Sequence, residues 1–222
     1  MEVLERPAAV PLLTDASVIA AVRELADGPL AELASDIDRR GVYPETILKR
    51  LGDLGALSAH MKRGEQPGDY GLAIRAMSEV SRVCGATGFM VWCHEVCGVY
   101  LEQSGNPALM GDVLDRHNSG QTLGATGMSN PMKTFAGIET FLLHARKIDG
   151  GYVVNGTLPW VSNLGPDHYF GAVADVESPS GSDAAKTEIM FLIRCDAAGV
   201  ELRNCPSFSA MEGTNTRARA AT

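Results

Sequence analysis

Residues 149–168 read "DGGYVVNGTLPWVSNLGPDH", and this stretch decides how the second half of the chain folds. Asp149-Gly150-Gly151 is turn chemistry, and the run from Tyr152 to Val161 is rich in β-branched and aromatic residues. On the other side of the turn, Phe141, Leu143 and Ala145 alternate with Leu142, His144 and Arg146. A period of two on both sides of a tight turn predicts a β-hairpin. Two more strands are expected, at Tyr169–Val176 and Glu188–Arg194. Between them, Glu177 to Ala185 is rich in Ser, Gly, Pro and Asp and reads as an exposed loop. Strands at this spacing predict a small antiparallel barrel or sandwich.

Upstream the period changes. Asp15-Ala16-Ser17 is placed to cap a helix carrying Val18, Val22 and Leu25, then Leu30, Leu33 and Ile37 after a Gly28-Pro29 interruption. Gly41 ends it, and Pro44 opens a second helix with Ile47, Leu48, Leu51 and Leu54. A third carries Leu72, Ile74, Met77 and Val80. From Ala86 to Leu101 large apolar residues point nearly all round, which predicts a helix buried between others. Asn106 is expected to cap a fifth helix ending near His117. The fold class is therefore α+β, with an all-helical domain at 1–119 and a β-barrel domain at 120–222.

The totals narrow the function. At 222 residues the chain can bury a sizeable core, and its net charge of −8 disfavours nucleic acid or an anionic membrane surface as partner. The uncharged stretch from Val83 to His94 is too short to span a bilayer, so no membrane insertion is expected. Glu2, Glu5 and Arg6 break up any secretory leader, and a cytoplasmic location is expected. Five cysteines without paired spacing make no disulfide framework. Cys93 and Cys97 share a helical face but His94 does not, so they read as buried thiols and no metal site is assigned. No serine or cysteine pairs recognisably with His60, His117, His144 or His168, which excludes a hydrolytic triad.

Trp160 and Ser162 stand two apart near the end of a strand and so share a face. That pairing suits a flat, heteroatom-rich ring, with the indole against its plane and the hydroxyl at its edge. A core tryptophan followed by a turn serine satisfies the same spacing. The stretch "GYVVNGTLPWVSN", in a β domain that follows helices, resembles the acyl-CoA dehydrogenase family of flavoproteins. Gly151, Tyr152, Asn155, Gly156, Trp160, Ser162 and Asn163 match the family pattern, with Ser162 in place of threonine. "SDIDRRGVYPETILKRLGDLGALS" is similar to the family's first helices, and "VSRVCGATGFMVWCH" to its central buried helix. The likeness runs from about Leu25 to Thr216.

The resemblance implies a bound FAD against the β domain and α,β-dehydrogenation of an acyl-CoA thioester. The family's flavin strand matches "LGATGMSNPMK", so Leu123, Ala125 and Thr126 carry over by position, with Trp160 and Ser162 completing the wall. Trp92 and Val96, on the central helix, would line the acyl channel, and Ser129 is the nearest substitute for the family's substrate-binding serine. The family's Thr-Glu is here Thr126-Gly127, its Gly-Ser-Asp is absent, and Leu158-Pro159 replaces the lysine before the tryptophan. These departures keep a flavin monooxygenase on the same scaffold, or a non-catalytic flavin-binding remnant, as alternatives. In the family the carboxylate base lies in a C-terminal helical bundle. The chain ends at "RARAAT", which lacks the alternation of a closing strand, so that strand and the bundle are expected to be missing. No catalytic residue is assigned, the truncated chain is expected to be inactive, and a homo-oligomer or a partner chain supplying the bundle is expected.

Overall fold

In the computed structural model, residues 15–177, 187–205 and 207–221 are described. Helix α1 (Asp15–Leu25) passes through a wider π turn (Ala26–Leu30) into α2 (Ala31–Arg40) without a break. The π turn falls on Gly28-Pro29. Proline has no N–H to give to the preceding turn, and one turn of wider winding absorbs the mismatch. Gly41, at φ 66°, ends α2 in the left-handed conformation that glycine adopts without a Cβ penalty. Helix α3 (Glu45–Asp53) follows Pro44, and α4 (Tyr70–Val83) begins at Asp69, whose carboxylate accepts from the Leu72 amide at 2.8 Å.

Three helix expectations are corrected. On α4 the buried face is Leu72, Ala73, Ala76 and Val80, and Ile74 points to solvent. Helix α5 (Gly85–Gln103) is the longest and buries Met90, Val91, Cys93, His94 and Cys97. It is not apolar-buried all round, for Phe89 is 37% and Trp92 42% exposed on its outer face. Asn106 caps only a turn, through Ala108 N–H to its Oδ1, and α6 (Asp112–Asn118) starts after Gly111.

The β half is a seven-stranded sheet that curls over its own core. Strands β1 (Gly124–Thr126), β2 (Leu143–Ile148), β3 (Gly151–Val161), β4 (Tyr169–Val176), β5 (Thr187–Arg194), β6 (Val200–Asn204) and β7 (Arg217–Ala221) run in the order β1-β4-β2-β3-β7-β6, with β5 on the other edge of β4. The expected hairpin is β2–β3, from Leu143↔Gly156 to Ile148↔Gly151, with Phe141, Leu143 and Ala145 inward. Most ladders are antiparallel, as expected, but β1 and β2 both lie parallel to β4. The run "LGATGMSNPMK" is a strand for only three residues. It then turns into a short helix, α7 (Ser129–Phe135), which the sequence pattern does not reveal. The terminal segment is also corrected: Arg217–Ala221 does form a strand, bonded between β3 and β6. The expected exposed loop between β4 and β5 lies largely outside the described residues.

Two cores result. One packs α1 to α5 around residues such as Val22, Leu30, Ile37, Leu48 and Met90; the other fills the curled sheet with Ala125, Leu143, Leu158, Val161 and Phe170. They meet where α5 lies on β1. A Cβ on Gly124 would fall 2.8 Å from that of Cys97, so only glycine lets strand and helix touch there. Among the described residues no helix is long and apolar enough to cross a membrane.

Candidate functional site

The site grows out of a defect in β3. Leu158 pairs with Arg219 and Val161 with Arg217, so three steps along β3 match two along β7. One extra residue is accommodated as a β-bulge, and Pro159, which cannot donate to a ladder, sits in it. The bulge keeps both Leu158 and Val161 in the core although they are three apart. Trp160 is consequently turned outward, 47% exposed, its ring tilted against Phe208 at 5.7 Å.

Ser162 is half-buried just beyond the strand. Its Oγ lies 2.6 Å from Thr216 Oγ1, which lies 2.7 Å from Thr214 Oγ1, and Thr214 donates to the Met211 carbonyl. This hydroxyl chain fixes Ser162. Because Thr214 gives its proton to Met211, Thr216 donates to Thr214 and Ser162 to Thr216, which leaves Ser162 lone pairs to accept from a further partner.

Asn163 is fully buried, and its φ is 64°. Its Oδ1 accepts from Tyr43 Oη at 2.6 Å, its Nδ2 donates to the Gly124 carbonyl at 2.8 Å, and its N–H donates to the Thr214 carbonyl at 2.8 Å. One residue thus ties the helical half and strand β1 together through its side chain, and the segment before β7 through its backbone. The sequence matched Asn163 to a pattern without giving it a role. The left-handed position just after a strand, where Asn is tolerated, was the available signal.

The other expected residues are distributed as follows. Leu123 and Ala125 are 1% and 0% exposed, so only their backbone can meet a ligand. Thr126 points to the opposite face of the sheet from Ala125, where its Oγ1 is 2.8 Å from Tyr100 Oη. Ser129, the first residue of α7, is exposed. Ser129, Gly127, Asn130, Leu158 and Trp160 border one hollow of about 120 Å³. Trp92 is exposed and stacks on Phe89 at 5.5 Å, while Val96 is half-buried one turn further along α5. The structure therefore brings Ser129 to Trp160 and leaves Thr126 linked to α5.

The junction between the halves is also polar. His94 and His117 are fully buried and stack at 3.8 Å, nearly parallel. Gly124 N–H donates to His94 Nδ1 at 3.1 Å, and His117 Nδ1 is 2.7 Å from Tyr169 Oη. Burial drives both imidazoles toward the neutral form, His117 down to about 3. Glu95 on the same helix is buried, its Oε1 has no partner among the described residues, and burial pushes its carboxyl up to about 8. Burial likewise pushes the Cys93 and Cys97 thiols up to about 12.

Comparison with known proteins agrees with this architecture. The family description "Acyl-CoA dehydrogenase, N-terminal domain" matches residues 14–121. Over residues 14–121 the chain matches the acyl-CoA dehydrogenase family, across part of that family's full length. It is 32% identical over 147 residues to a mitochondrial isovaleryl-CoA dehydrogenase of Oryza sativa subsp. japonica, covering 64% of this chain and 36% of that one. It is 27% identical over 179 residues to benzylmalonyl-CoA dehydrogenase of Aromatoleum aromaticum, covering 78% and 45%. Butyryl-CoA dehydrogenase from Megasphaera elsdenii superposes with a TM-score of 0.81 at 19% identity, over 96% of this chain and 57% of that one. At that identity the superposition speaks for the fold. The chain thus spans between about a third and a half of the length of these curated relatives.

Proposed function

We propose that these residues form one wall of the FAD site of an acyl-CoA dehydrogenase-like oxidoreductase that acts on an acyl thioester. The observation that carries this reading is Trp160, held outward by the bulge and sharing one hollow with Ser129, with Ser162 two residues further along the chain. A half-exposed indole plane with hydroxyls around it fits a planar, polar-edged ring. The hollow beside it, at about 120 Å³, is well below the 300–1,000 Å³ of an enclosing small-molecule pocket. The ring would therefore lie over these residues and need a second wall from outside them.

When bound, FAD supplies the acceptor for a hydride. The chain's own residues place it: Trp160 offers its face, Ser162 its remaining hydrogen-bonding capacity, and the strand from Leu123 to Thr126 its backbone, the Thr126 hydroxyl being engaged by Tyr100. Ser129 stands where an acyl-CoA substrate could meet the same hollow, and Trp92 and Val96 on α5 would flank its acyl end. No carboxylate here is given the role of base. Proton abstraction next to the thioester carbonyl falls to a group outside these residues, in a helical segment of the same chain or of a partner. A flavin monooxygenase is the second reading, favoured by the helix that starts at Ser129 where the family pattern continues through Gly-Ser-Asp.

The test is a titration with FAD followed through tryptophan fluorescence. We expect weak binding that quenches Trp160; Trp160→Phe removes the quench and Trp92→Phe leaves it. Anaerobic addition of acyl-CoAs to these 222 residues with FAD should give no flavin reduction at an enzymatic rate. Rapid reduction would show that the base lies within them and sink this assignment.

A further inference from the structure

A second hollow, independent of the flavin reading, lies on the face of the sheet that meets the helices. We infer that it is a binding site for an uncharged, largely apolar small molecule of bicyclic size with a polar group at one end. Its volume is about 340 Å³, inside the range of small-molecule sites, and it opens between the last turns of α5, the 104–109 turn and strands β4 and β5.

The lining sets the ligand's chemistry. Val99, Leu109, Met190, Phe191 and Leu192 make the walls, and among the described residues none that lines the hollow is charged. A carboxylate, phosphate or ammonium entering it would lose hydration with nothing in return, so charged ligands are excluded. Polar capacity is confined to one end. Ser104 Oγ is spent on the Leu101 carbonyl and the Asn106 N–H, and Asn106 Oδ1 on Ala108 N–H. The Gln103 amide and the Asn106 Nδ2, by contrast, have no partner among the described residues. The Gln103 amide can donate to, or accept from, one ligand carbonyl or hydroxyl.

The floor is built with equal economy. Tyr100 lies against Gly171, where a Cβ would come within 2.6 Å of its ring. Its hydroxyl is held by Thr126 at 2.8 Å. The aromatic floor is therefore fixed before any ligand arrives, and a preformed surface costs little to order on binding.

The probe is N-phenyl-1-naphthylamine, an uncharged two-part aromatic whose fluorescence rises on leaving water. Titrated into the full chain, it should bind saturably with one equivalent. Met190→Trp, which fills the mouth from a half-exposed position, should weaken binding at least tenfold. Val99→Phe does the same from the helix side, should the first variant fold poorly by circular dichroism. Gln103→Leu should leave the hydrocarbon-like probe unaffected but weaken 1-naphthol severalfold. Phe135→Ser controls for the exposed apolar residues Met132, Phe135 and Ile138, and should change nothing. Unsaturable binding, binding indifferent to both filling variants, or binding lost in Phe135→Ser would overturn the site. So would a signal that disappears as protein concentration rises and a dimer forms, which would mean a second copy covers the hollow.

Discussion

Asn163 carries more of the architecture than any residue near it. Truncation to alanine would strand the Tyr43 hydroxyl and the Gly124 carbonyl in a buried site and place alanine at a positive φ. A buried polar group left unpaired costs about 1–3 kcal/mol, so Asn163→Ala should lose roughly 2 kcal/mol or more in chemical denaturation. Asn163→Asp keeps the acceptor for Tyr43 but loses the donor, and should fall between the two. Ser162→Ala removes the bond to Thr216 and the one offered to the flavin; stability and FAD affinity should each drop by about 0.5–1.5 kcal/mol, the latter in the same fluorescence titration. The pairing of Trp160 with Ser162 was legible because strand parity is a local property. The role of Asn163 was not, because its partners lie 120 and 39 residues away.

At the scale of elements, periodicity located most of the helices and the central strands, since each depends on a face presented to one core. It failed where an element is short or where two neighbours compete. Strand β1 has three residues and α7 seven, too few for a period to show. Strand β7, "RARAA", has no apolar alternation and is held by ladders on both sides. Helix α5 looked apolar all round because its outer face also carries Phe89 and Trp92. The contact between α5 and β1 yields its own expectation. Gly124→Ala would drive a methyl to within 2.8–2.9 Å of Cys97 and His117, and α5 and β1 would have to part. Overpacking of this kind costs typically about 1–3 kcal/mol, and thermal melts of the variant should show it. Unchanged stability would mean that the two elements are less tightly apposed than described.

For the whole molecule, the buried junction predicts how stability depends on pH. His117 titrates near 6.5 when unfolded and is held down to about 3 when folded, and His94 moves the same way. The unfolded chain therefore binds more protons below 6.5, and stability falls as pH drops from there. Glu95 behaves oppositely. Raised from 4.5 to about 8, it holds its proton when folded, so its contribution is intact below 4.5 and is lost as pH rises toward 8. A pKa that differs by one between the folded and unfolded chain is worth about 1.4 kcal/mol, so denaturation midpoints should peak near pH 6.5 and decline on both sides. Glu95→Gln should abolish most of the alkaline decline and steepen the acid limb between about pH 4.5 and 6.5; an unaltered alkaline limb would show that Glu95 is not buried as described.

The bulge in β3 also says how this chain tolerates a change of length. Between Leu158 and Val161 the strand holds one residue more than β7 requires, and that surplus is Pro159 or its neighbour. Removing Pro159 would leave Leu158 inward, Trp160 outward, Val161 inward and Ser162 outward in plain alternation, with Val161 still opposite Arg217. Removing a residue elsewhere in β3, such as Val154, would turn every side chain between the gap and the bulge to the wrong face. A single-codon deletion scan through residues 152–161 should therefore show one tolerated position in a run of intolerant ones, at Pro159. The strand carries slack at one point, and that is where its reading frame can shift without the fold noticing.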